Sequence, residues 1–325
     1  MSELKVVIVD SPSTSYEFFH EGLAELTKQR DCEVIILPPG TSREETFEVC
    51  RDADGIVFCY FKVDEEFLGK LEKCKIISRT GIGMNTIDIP ACTRHGVLVA
   101  NVRDPQTVEV ANHVAALALA CAKKITKANS MVREGVWAME PLAPVWRLTG
   151  RVFGMYGFGR IAHAVAKRML AFDMDVIAYD PFLSTEEMEK NGVRAVSLDE
   201  LIETSDFLSM HLPLTAETAK IVNAETFRRM KNTAFIINCA RGGIIDEDAL
   251  VEALKTGEIA GAGLDTITSE HPTPDMPIFS CENAILTPHS AWYSEECNNE
   301  LLSDAAKNVA DYLLGHEVRN LCNKI

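Results

Sequence analysis

The chain has 325 residues, of which 47 % are hydrophobic and 25 % charged, a balance that excludes a disordered or fibrous protein. Its 48 acidic and 32 basic side chains give a net charge of −16, which repels phosphate backbones and anionic lipids, so neither nucleic acid nor a membrane is an expected partner. No apolar run approaches a membrane span, the ten cysteines lack metal-ligand spacing, and no signal-peptide pattern opens the chain, so we expect a cytoplasmic protein with reduced thiols and no metal.

Short β-branched runs alternate with longer helical segments along the chain. In the first part, strands are predicted at Val6–Val9, Val34–Leu37, Ile56–Phe58, Ile76–Ser78 and Val97–Ala100. A second series is predicted at Val152–Tyr156, Val176–Tyr179, Phe207–Met210, Ala234–Asn238, Ala260–Leu264 and Ala284–Leu286. Strands that alternate with helices in this way form parallel sheets. The pattern therefore predicts two open α/β sheets, one in each of two domains.

Two helical segments fix the expected domain organisation. An alanine-rich stretch from about Val108 to Ile125, opened by Pro105, predicts a buried helix between the two series of strands. A second helical stretch, from about Glu295 to Leu314, follows the last strand and has no sheet of its own, so we expect it to return to the first domain. The predicted domains are residues 1–101 plus 291–325, and residues 102–290 inserted between them. The two chain crossings would form a hinge beside a cleft.

A glycine-rich turn follows the first strand of the second series. Val152–Tyr156 leads into Gly157-Phe158-Gly159-Arg160-Ile161-Ala162 and then into a helix. Such glycines permit a tight turn and close approach of a pyrophosphate, which the helix N-terminus stabilises. The triplet alone also fits an ordinary βα turn, and Asp180 alone fits a solvated strand end. Together they favour NAD over NADP, because Asp180 can bind the ribose hydroxyls and repel a 2′-phosphate.

Three side chains near later strand ends suggest hydride-transfer chemistry. Arg241 follows an apolar strand and precedes two glycines, and its guanidinium can bind the carboxylate of a 2-oxo acid through two parallel hydrogen bonds. His289 suits proton transfer because the imidazole group titrates near neutrality, and a carboxylate such as Glu270 would orient it. Each taken alone also fits a structural histidine or a solvated loop acid, and the sequence does not place the two in contact.

These residues resemble the D-isomer-specific 2-hydroxyacid dehydrogenases over essentially the whole chain. The resemblance rests on the glycine turn with Asp180, His211-Leu212-Pro213-Leu214-Thr215, the segment from Asn238 to Asp246, Asp265 with Glu270, and Thr287-Pro288-His289. The stretch from Ser290 to Glu295 resembles the branch that contains the C-terminal binding proteins, corepressors that retain a dehydrogenase site, as do Trp137 and the stretch from Pro144 to Gly150.

The resemblance implies a Rossmann NAD-binding domain inserted into a flavodoxin-like substrate domain, and a homodimer formed through the helix from about Val108. It implies that Arg241 binds substrate, that His289 is the acid/base and that Glu270 is its partner. Further substrate contacts are expected from Arg79, Gly81, Ile82 and Trp292. Cofactor contacts are expected from Gly157, Gly159, Arg160, Ile161, Asp180, His211, Pro213, Thr218, Cys239 and Asp265.

The chain departs from the family pattern at three places. The loop after Gly83 reads Asn85-Thr86-Ile87-Asp88 instead of Asp-Asn-Ile-Asp, the helix begins Val110-Ala111-Asn112 instead of Val-Ala-Glu, and Ala162 replaces the third glycine.

The leading functional prediction is reversible, NAD-dependent reduction of a small 2-oxo acid to a D-2-hydroxy acid. The alternative is an NAD-sensing, dimeric binding module of the corepressor type.

Overall fold

The computed structural model describes residues 4–11 and 15–325, so residues 1–3 of the predicted polar start lie outside the described part. Internal contacts divide the chain into two compact units. The first unit comprises Met1–Gln106 and Tyr293–Ile325, and the second comprises Thr107–Trp292. The boundaries predicted from the sequence lie a few residues N-terminal of these divisions.

The described residues form strands and helices that alternate through most of both units. The strands are β1 Leu4–Val9, β2 Cys32–Ile36, β3 Gly55–Phe58, β4 Ile76–Arg79, β5 Leu98–Asn101, β6 Val152–Tyr156, β7 Asp175–Tyr179, β8 Arg194–Ala195, β9 Phe207–Met210, β10 Phe235–Asn238, β11 Gly261–Leu264 and β12 Ala284–Leu286. The helices are α1 Tyr16–Gln29, α2 Arg43–Cys50, α3 Glu65–Leu68, α4 Ile89–Arg94, α5 Pro105–Lys123, α6 Ile125–Arg133, α7 Arg160–Leu170, α8 Thr185–Glu189, α9 Leu198–Thr204, α10 Ala224–Arg229, α11 Glu247–Thr256 and α12 Glu295–Leu313.

Both sheets are parallel, which confirms the predicted fold class. The first has the strand order β2-β1-β3-β4-β5, with Val6 paired to Val34 on one side and to Gly55 on the other. The second has the order β12-β11-β10-β9-β6-β7-β8. Strands such as β3 and β9 are buried throughout, as expected for parallel sheets with helices on both faces. The order of the sheets reverses beside β1 and beside β6, and open α/β sheets bind ligands at such points.

The predicted helix from about Val108 to Ile125 corresponds to α5, and a second helix that was not predicted, α6, follows it. α5 ends at Lys123, Lys124 has a left-handed backbone with φ +52°, and α6 begins at Ile125. The two helices also differ in burial, since α5 buries one face while α6 has no buried residue. A residue in the left-handed region ends an α-helix, but lysine carries no sequence signal for that conformation.

The C-terminal helix α12 packs against α1, β3 and β4 in the first unit. A β-carbon on Gly22 of α1 would lie 2.2 Å from the carbonyl oxygen of Ser303, so the two helices touch through their backbones. Buried Asn308 donates from Nδ2 to Oγ of Ser78 at 3.3 Å, which joins α12 to β4. Within residues 4–11 and 15–325, the structure contains no helix with the length and hydrophobicity to cross a bilayer.

Candidate active site

The glycine turn joins β6 to α7 at the point where the strand order reverses. Gly157 has φ +92°, and a β-carbon there would lie 2.8 Å from the carbonyl oxygen of His211, so both the conformation and the space require glycine. Gly159 is the N-cap of α7 and provides no side-chain cap. The first N–H groups of an eleven-residue helix therefore lie at an exposed turn, where an anionic pyrophosphate can bind them. Arg160 and Ile161 open this helix, and Ala162 is fully buried.

Asp180 follows β7 and holds the glycine turn. Its Oδ2 accepts a hydrogen bond from the backbone N–H of Phe158 at 2.9 Å, and its Oδ1 accepts one from Phe182 at 2.9 Å. The carboxylate is thus fixed beside the turn and keeps lone pairs for further donors. This arrangement fits the two hydroxyl groups of an NAD ribose and places a negative charge where NADP would carry a phosphate.

His211 and its neighbours border the same turn. Its backbone N–H bonds to the carbonyl of Tyr156 at 2.8 Å, and its ring Nε2 lies 3.0 Å from Oγ of the buried Ser209. Burial lowers the pKa of His211 to about 4, so its ring is neutral at neutral pH. Thr218 Oγ1 donates to the carbonyl oxygen of Pro213, which closes the loop that follows. No role was predicted for Ser209 from the sequence, although a polar residue inside an apolar strand can indicate one.

The turn after β10 presents Arg241. Fully buried Asn238 shapes this turn, because its Oδ1 accepts from the N–H of Ala240 at 3.0 Å and its Nδ2 donates to the carbonyl of Arg241 at 2.9 Å. The Arg241 guanidinium donates from Nη1 to the carbonyl of Ala240 at 2.7 Å. Burial lowers the pKa of Arg241, and the negative charge of Glu270 raises it. The structure therefore places these two predicted site residues close enough for their charges to interact.

Gly242 brings the Arg241 turn against the loop that carries Glu270. A β-carbon on Gly242 would lie 1.9 Å from the carbonyl oxygen of Ile267, so any other residue would displace one of the two segments. The same loop is tied to α11, because Oε2 of Glu247 accepts from the N–H of Thr268 at 2.8 Å. Gly242 therefore allows two segments that carry candidate catalytic residues to pack closely together.

His289 and Glu270 come from different loops and are in contact. Nδ1 of His289 lies 2.7 Å from Oε2 of Glu270, a distance typical of a strong hydrogen bond. The imidazole is about one third exposed and the Glu270 carboxylate more than half, so both are accessible from solvent. With Nδ1 engaged by Glu270, Nε2 of His289 is the ring nitrogen available for a ligand. The sequence alone did not establish this contact.

Asp265 anchors the loop that carries His289. Its Oδ1 accepts from the N–H of Ser290 and its Oδ2 from the N–H of Ala291, both at 2.9 Å. Oδ1 also accepts from Oγ1 of Thr287 at 2.6 Å, and Nε2 of His113 on α5 lies 2.9 Å from that hydroxyl. Asp265, which the sequence predicts to contact the cofactor, thus also positions the loop that carries His289, a role that the sequence did not suggest.

Cys239 lies beside Asp265 in the second unit. Burial and the adjacent Asp265 charge raise the pKa of the Cys239 thiol well above its ordinary value, so the thiol is neutral at neutral pH. Trp292, another predicted site residue, is partly buried and packs against the core of this unit. The spacing of these residues in the sequence did not show that Cys239 and Asp265 are neighbours.

The remaining predicted site residues lie at the carboxyl end of β4 in the first unit. Arg79 donates from Nε to the carbonyl of Cys59 at 3.1 Å, and a β-carbon on Gly81 would lie 3.3 Å from its Nη1. The backbone of Ile82 accepts from Nδ2 of Asn101 at 2.9 Å. The guanidinium of Arg79 thus lies against the glycine loop. An anion bound there could contact both the positive charge and the backbone N–H groups of the loop.

Comparison with known proteins gives a consistent result over most of the chain. Residues 115–291 match the family described as D-isomer specific 2-hydroxyacid dehydrogenase, NAD binding domain. The D-3-phosphoglycerate dehydrogenase of Archaeoglobus fulgidus is 39 % identical over 285 residues, which are 87 % of this chain and 54 % of that protein. The chain therefore spans about half the length of that relative. The glyoxylate reductase of Korarchaeum cryptofilum is 37 % identical over 292 residues, which are 88 % of this chain and 87 % of that protein.

A solved structure agrees with these matches. The D-lactate dehydrogenase of Aquifex aeolicus, complexed with NAD and lactic acid, superposes with a TM-score of 0.85 at 28 % identity, covering 95 % of this chain and 96 % of that one. The second unit is thus an NAD-binding domain, as the glycine turn and Asp180 predicted. From its sequence matches and its fold, the chain belongs to the D-isomer-specific 2-hydroxyacid dehydrogenase family.

Proposed function

We propose that the protein is an oxidoreductase that interconverts a small 2-oxo acid and the corresponding D-2-hydroxy acid with NAD. The observation that carries this proposal is the 2.7 Å contact between His289 Nδ1 and Glu270 Oε2, in a unit that also presents the partly buried Arg241 guanidinium and an NAD-binding turn. An acid/base, its orienting carboxylate and an anion-binding cation are the groups that this reaction needs. When bound, NADH supplies the hydride that reaches the carbonyl carbon.

The protein's own groups handle the proton and the charge. His289 donates a proton from Nε2 to the carbonyl oxygen as the hydroxyl group forms, and it takes that proton back in the reverse direction. Glu270 holds the imidazole by Nδ1 and stabilises its cationic form. Arg241 binds the carboxylate and carbonyl oxygens with two donors, which also lowers the energy of the developing oxyanion. We propose Arg79, Gly81, Ile82 and Trp292 as further contacts to the substrate.

Asp180 supports the proposed preference for NAD. Its fixed carboxylate would accept hydrogen bonds from the ribose hydroxyls and would repel the phosphate of NADP. The neutral His211 ring adds no positive charge that could offset this repulsion. Gly157, Gly159, Arg160, Ile161, His211, Pro213, Thr218, Cys239 and Asp265 are the other proposed contacts to the cofactor.

Loss of NADH absorbance with a panel of 2-oxo acids tests the proposal. We expect turnover with at least one of glyoxylate, hydroxypyruvate, pyruvate and a branched 2-oxo acid, and oxidation of only the D-enantiomer of the matching hydroxy acid. NADH binding followed by fluorescence provides the control for a folded cofactor site. Binding of NADH without turnover of any acid contradicts the proposal and is the result that the corepressor-type alternative predicts.

We also propose a homodimer, formed through the second unit. Several large apolar side chains between α6 and β6 are exposed, with Trp137 at 87 % and Met139 at 80 %. Exposed apolar groups in one short segment are typical of a surface that another chain covers. Light scattering is expected to give about twice the 35.9 kDa of one chain. Trp137→Ser with Met139→Ser should lower that mass, whereas Phe279→Ser, at another exposed site of the unit, should not.

A further inference from the structure

One histidine of the second unit has no part in the proposed chemistry, although it lies beside the candidate active site. His113 is on the same face of α5 as Leu117 and Cys121, because residues four apart in a helix lie one above the other. That face packs on β11: a β-carbon on Gly263 would lie 3.0 Å from the β-carbon of Leu117, and Sγ of Cys121 donates to the carbonyl of Ala262 at 3.6 Å. This packing brings His113 to the carboxyl end of the strand.

His113 begins a chain of hydrogen bonds whose direction is fixed at its far end. The Asp265 carboxylate can only accept, and its Oδ1 accepts from Oγ1 of Thr287 at 2.6 Å. A hydroxyl group has a single hydrogen, and that of Thr287 is engaged by Asp265. The imidazole is therefore the donor in the 2.9 Å contact between Nε2 of His113 and Oγ1 of Thr287. His113 carries a proton on Nε2.

The chain leads from partly exposed surface to a fully buried charge. The side chain of His113 is 23 % exposed, whereas that of Asp265 is completely buried, with Nε2 of His113 at 3.5 Å from its Oδ1. A buried carboxylate is stable only when donors surround it. Two donors to Asp265 are the backbone N–H groups of Ser290 and Ala291, and a third is the Thr287 hydroxyl group that His113 holds in place.

Asp265 in turn holds three consecutive N–H groups of the loop that carries the acid/base. Its carbonyl oxygen accepts from His289 at 2.8 Å, and its carboxylate accepts from Ser290 and Ala291. A rotation of the Asp265 side chain would release two of these three bonds. A shift of about 1 Å in a reacting group can lower a rate by about 100-fold. The restraint on Asp265 therefore bears on proton transfer by His289.

We propose that His113 is a positioning residue for His289 and acts through Thr287 and Asp265. The inference rests on the proposed function, in which His289 transfers the proton. The donor on Nε2 of His113 fixes the Thr287 hydroxyl group, that group fixes the Asp265 carboxylate, and the carboxylate fixes the loop of His289. A helix that is anchored on β11 thereby restrains a loop that follows β12.

Steady-state rates test the donor role of His113. His113→Leu removes the donor and should lower kcat by about tenfold, while the NADH dissociation constant changes by less than about threefold. His113→Gln should keep kcat within about threefold of the wild type, because the amide nitrogen of glutamine can replace Nε2 as donor. Thr287→Val and Thr287→Ser should behave in the same two ways. A loss with His113→Gln as large as that with His113→Leu would overturn the donor role.

Two further variants separate positioning from general damage to the fold. His113→Leu combined with His289→Asn should be no more than about twofold slower than His289→Asn alone, because His113 acts through the imidazole of His289. An additive, further tenfold loss would overturn the proposal. His316→Leu is the matched control, since His316 is an exposed histidine 3.7 Å from Asp311 in the first unit, and it should retain wild-type kcat.

Amide hydrogen exchange tests the restraint on the loop without any need for turnover. In His113→Leu, the N–H groups of residues 289–291 should exchange about tenfold faster than in the wild type, because their acceptor Asp265 is less restrained. Exchange in β6 should be unchanged. Equal exchange of the loop in wild type and His113→Leu would overturn the proposal whatever the rates. Absence of turnover with every 2-oxo acid, with NADH bound, would instead contradict the proposed function.

Discussion

Replacement of His289 by asparagine is expected to lower kcat for reduction of the 2-oxo acid by about 100-fold or more, with little change in NADH affinity. Asparagine keeps a polar group of similar size but provides no proton that can be transferred near neutral pH. Steady-state rates give kcat, and fluorescence titration gives the NADH dissociation constant. A parallel loss of cofactor binding would show that the substitution disrupts the loop rather than proton transfer.

Two companion variants sharpen this measurement. Glu270→Gln should reduce kcat by a smaller factor, and the double variant should be little worse than His289→Asn alone, because Glu270 acts through the imidazole. His271→Asn is the matched control, since His271 is an exposed histidine adjacent to Glu270. A reduction of kcat by His271→Asn as large as that by His289→Asn would contradict the assignment of the acid/base.

Arg241→Lys is expected to lower kcat/KM by about 100-fold, although the positive charge is retained. Lysine cannot present two parallel donors to a carboxylate, and a charged hydrogen bond contributes about 1.5–3 kcal/mol. The cost should be high because Arg241 lies in a partly buried turn shaped by Asn238, and no other residue of that turn carries a positive charge. Initial rates over a range of substrate concentrations separate the effect on KM from that on kcat.

The control for this substitution is Arg229→Lys on α10, where a partly exposed arginine pairs with the exposed Asp199 and Glu203. Exposed ion pairs contribute little to stability, so this variant should retain wild-type kcat/KM and nearly the same melting temperature. If Arg241→Lys retained full kcat/KM as well, bidentate hydrogen bonding of the substrate by Arg241 would be excluded.

Elements with strong local signals were predictable from the sequence. The β-branched runs around Val6–Val9 and Val152–Tyr156 and the glycine turn at Gly157 depend on local conformation and burial, which composition encodes. β8 was not predicted because its two residues are too short to form a pattern. The separate helix α6 was not predicted, because Lys124, which divides it from α5, takes a left-handed conformation that lysine does not indicate in a sequence.

The site was less predictable than the fold, because its contacts join residues far apart in the chain. The pairing of Glu270 with His289 depends on how two loops meet above the sheet. The hydrogen bonds of Asp265 to Ser290 and Ala291 depend on the adjacent ends of β11 and β12. Family resemblance predicts that these residues belong to the site, but the spacing of residues in the sequence encodes neither set of distances.

The backbone of His289 has a consequence for how the site meets its ligand. His289 has φ +52°, a conformation that costs a non-glycine residue about 1–2 kcal/mol. Its N–H bonds to the carbonyl of Asp265 at 2.8 Å, and the carboxylate of the same residue holds the next two N–H groups. These hydrogen bonds offset the free-energy cost of the left-handed conformation in the absence of a ligand. The imidazole is held in place by the fold, so the proposed proton transfer would require little rearrangement of the loop.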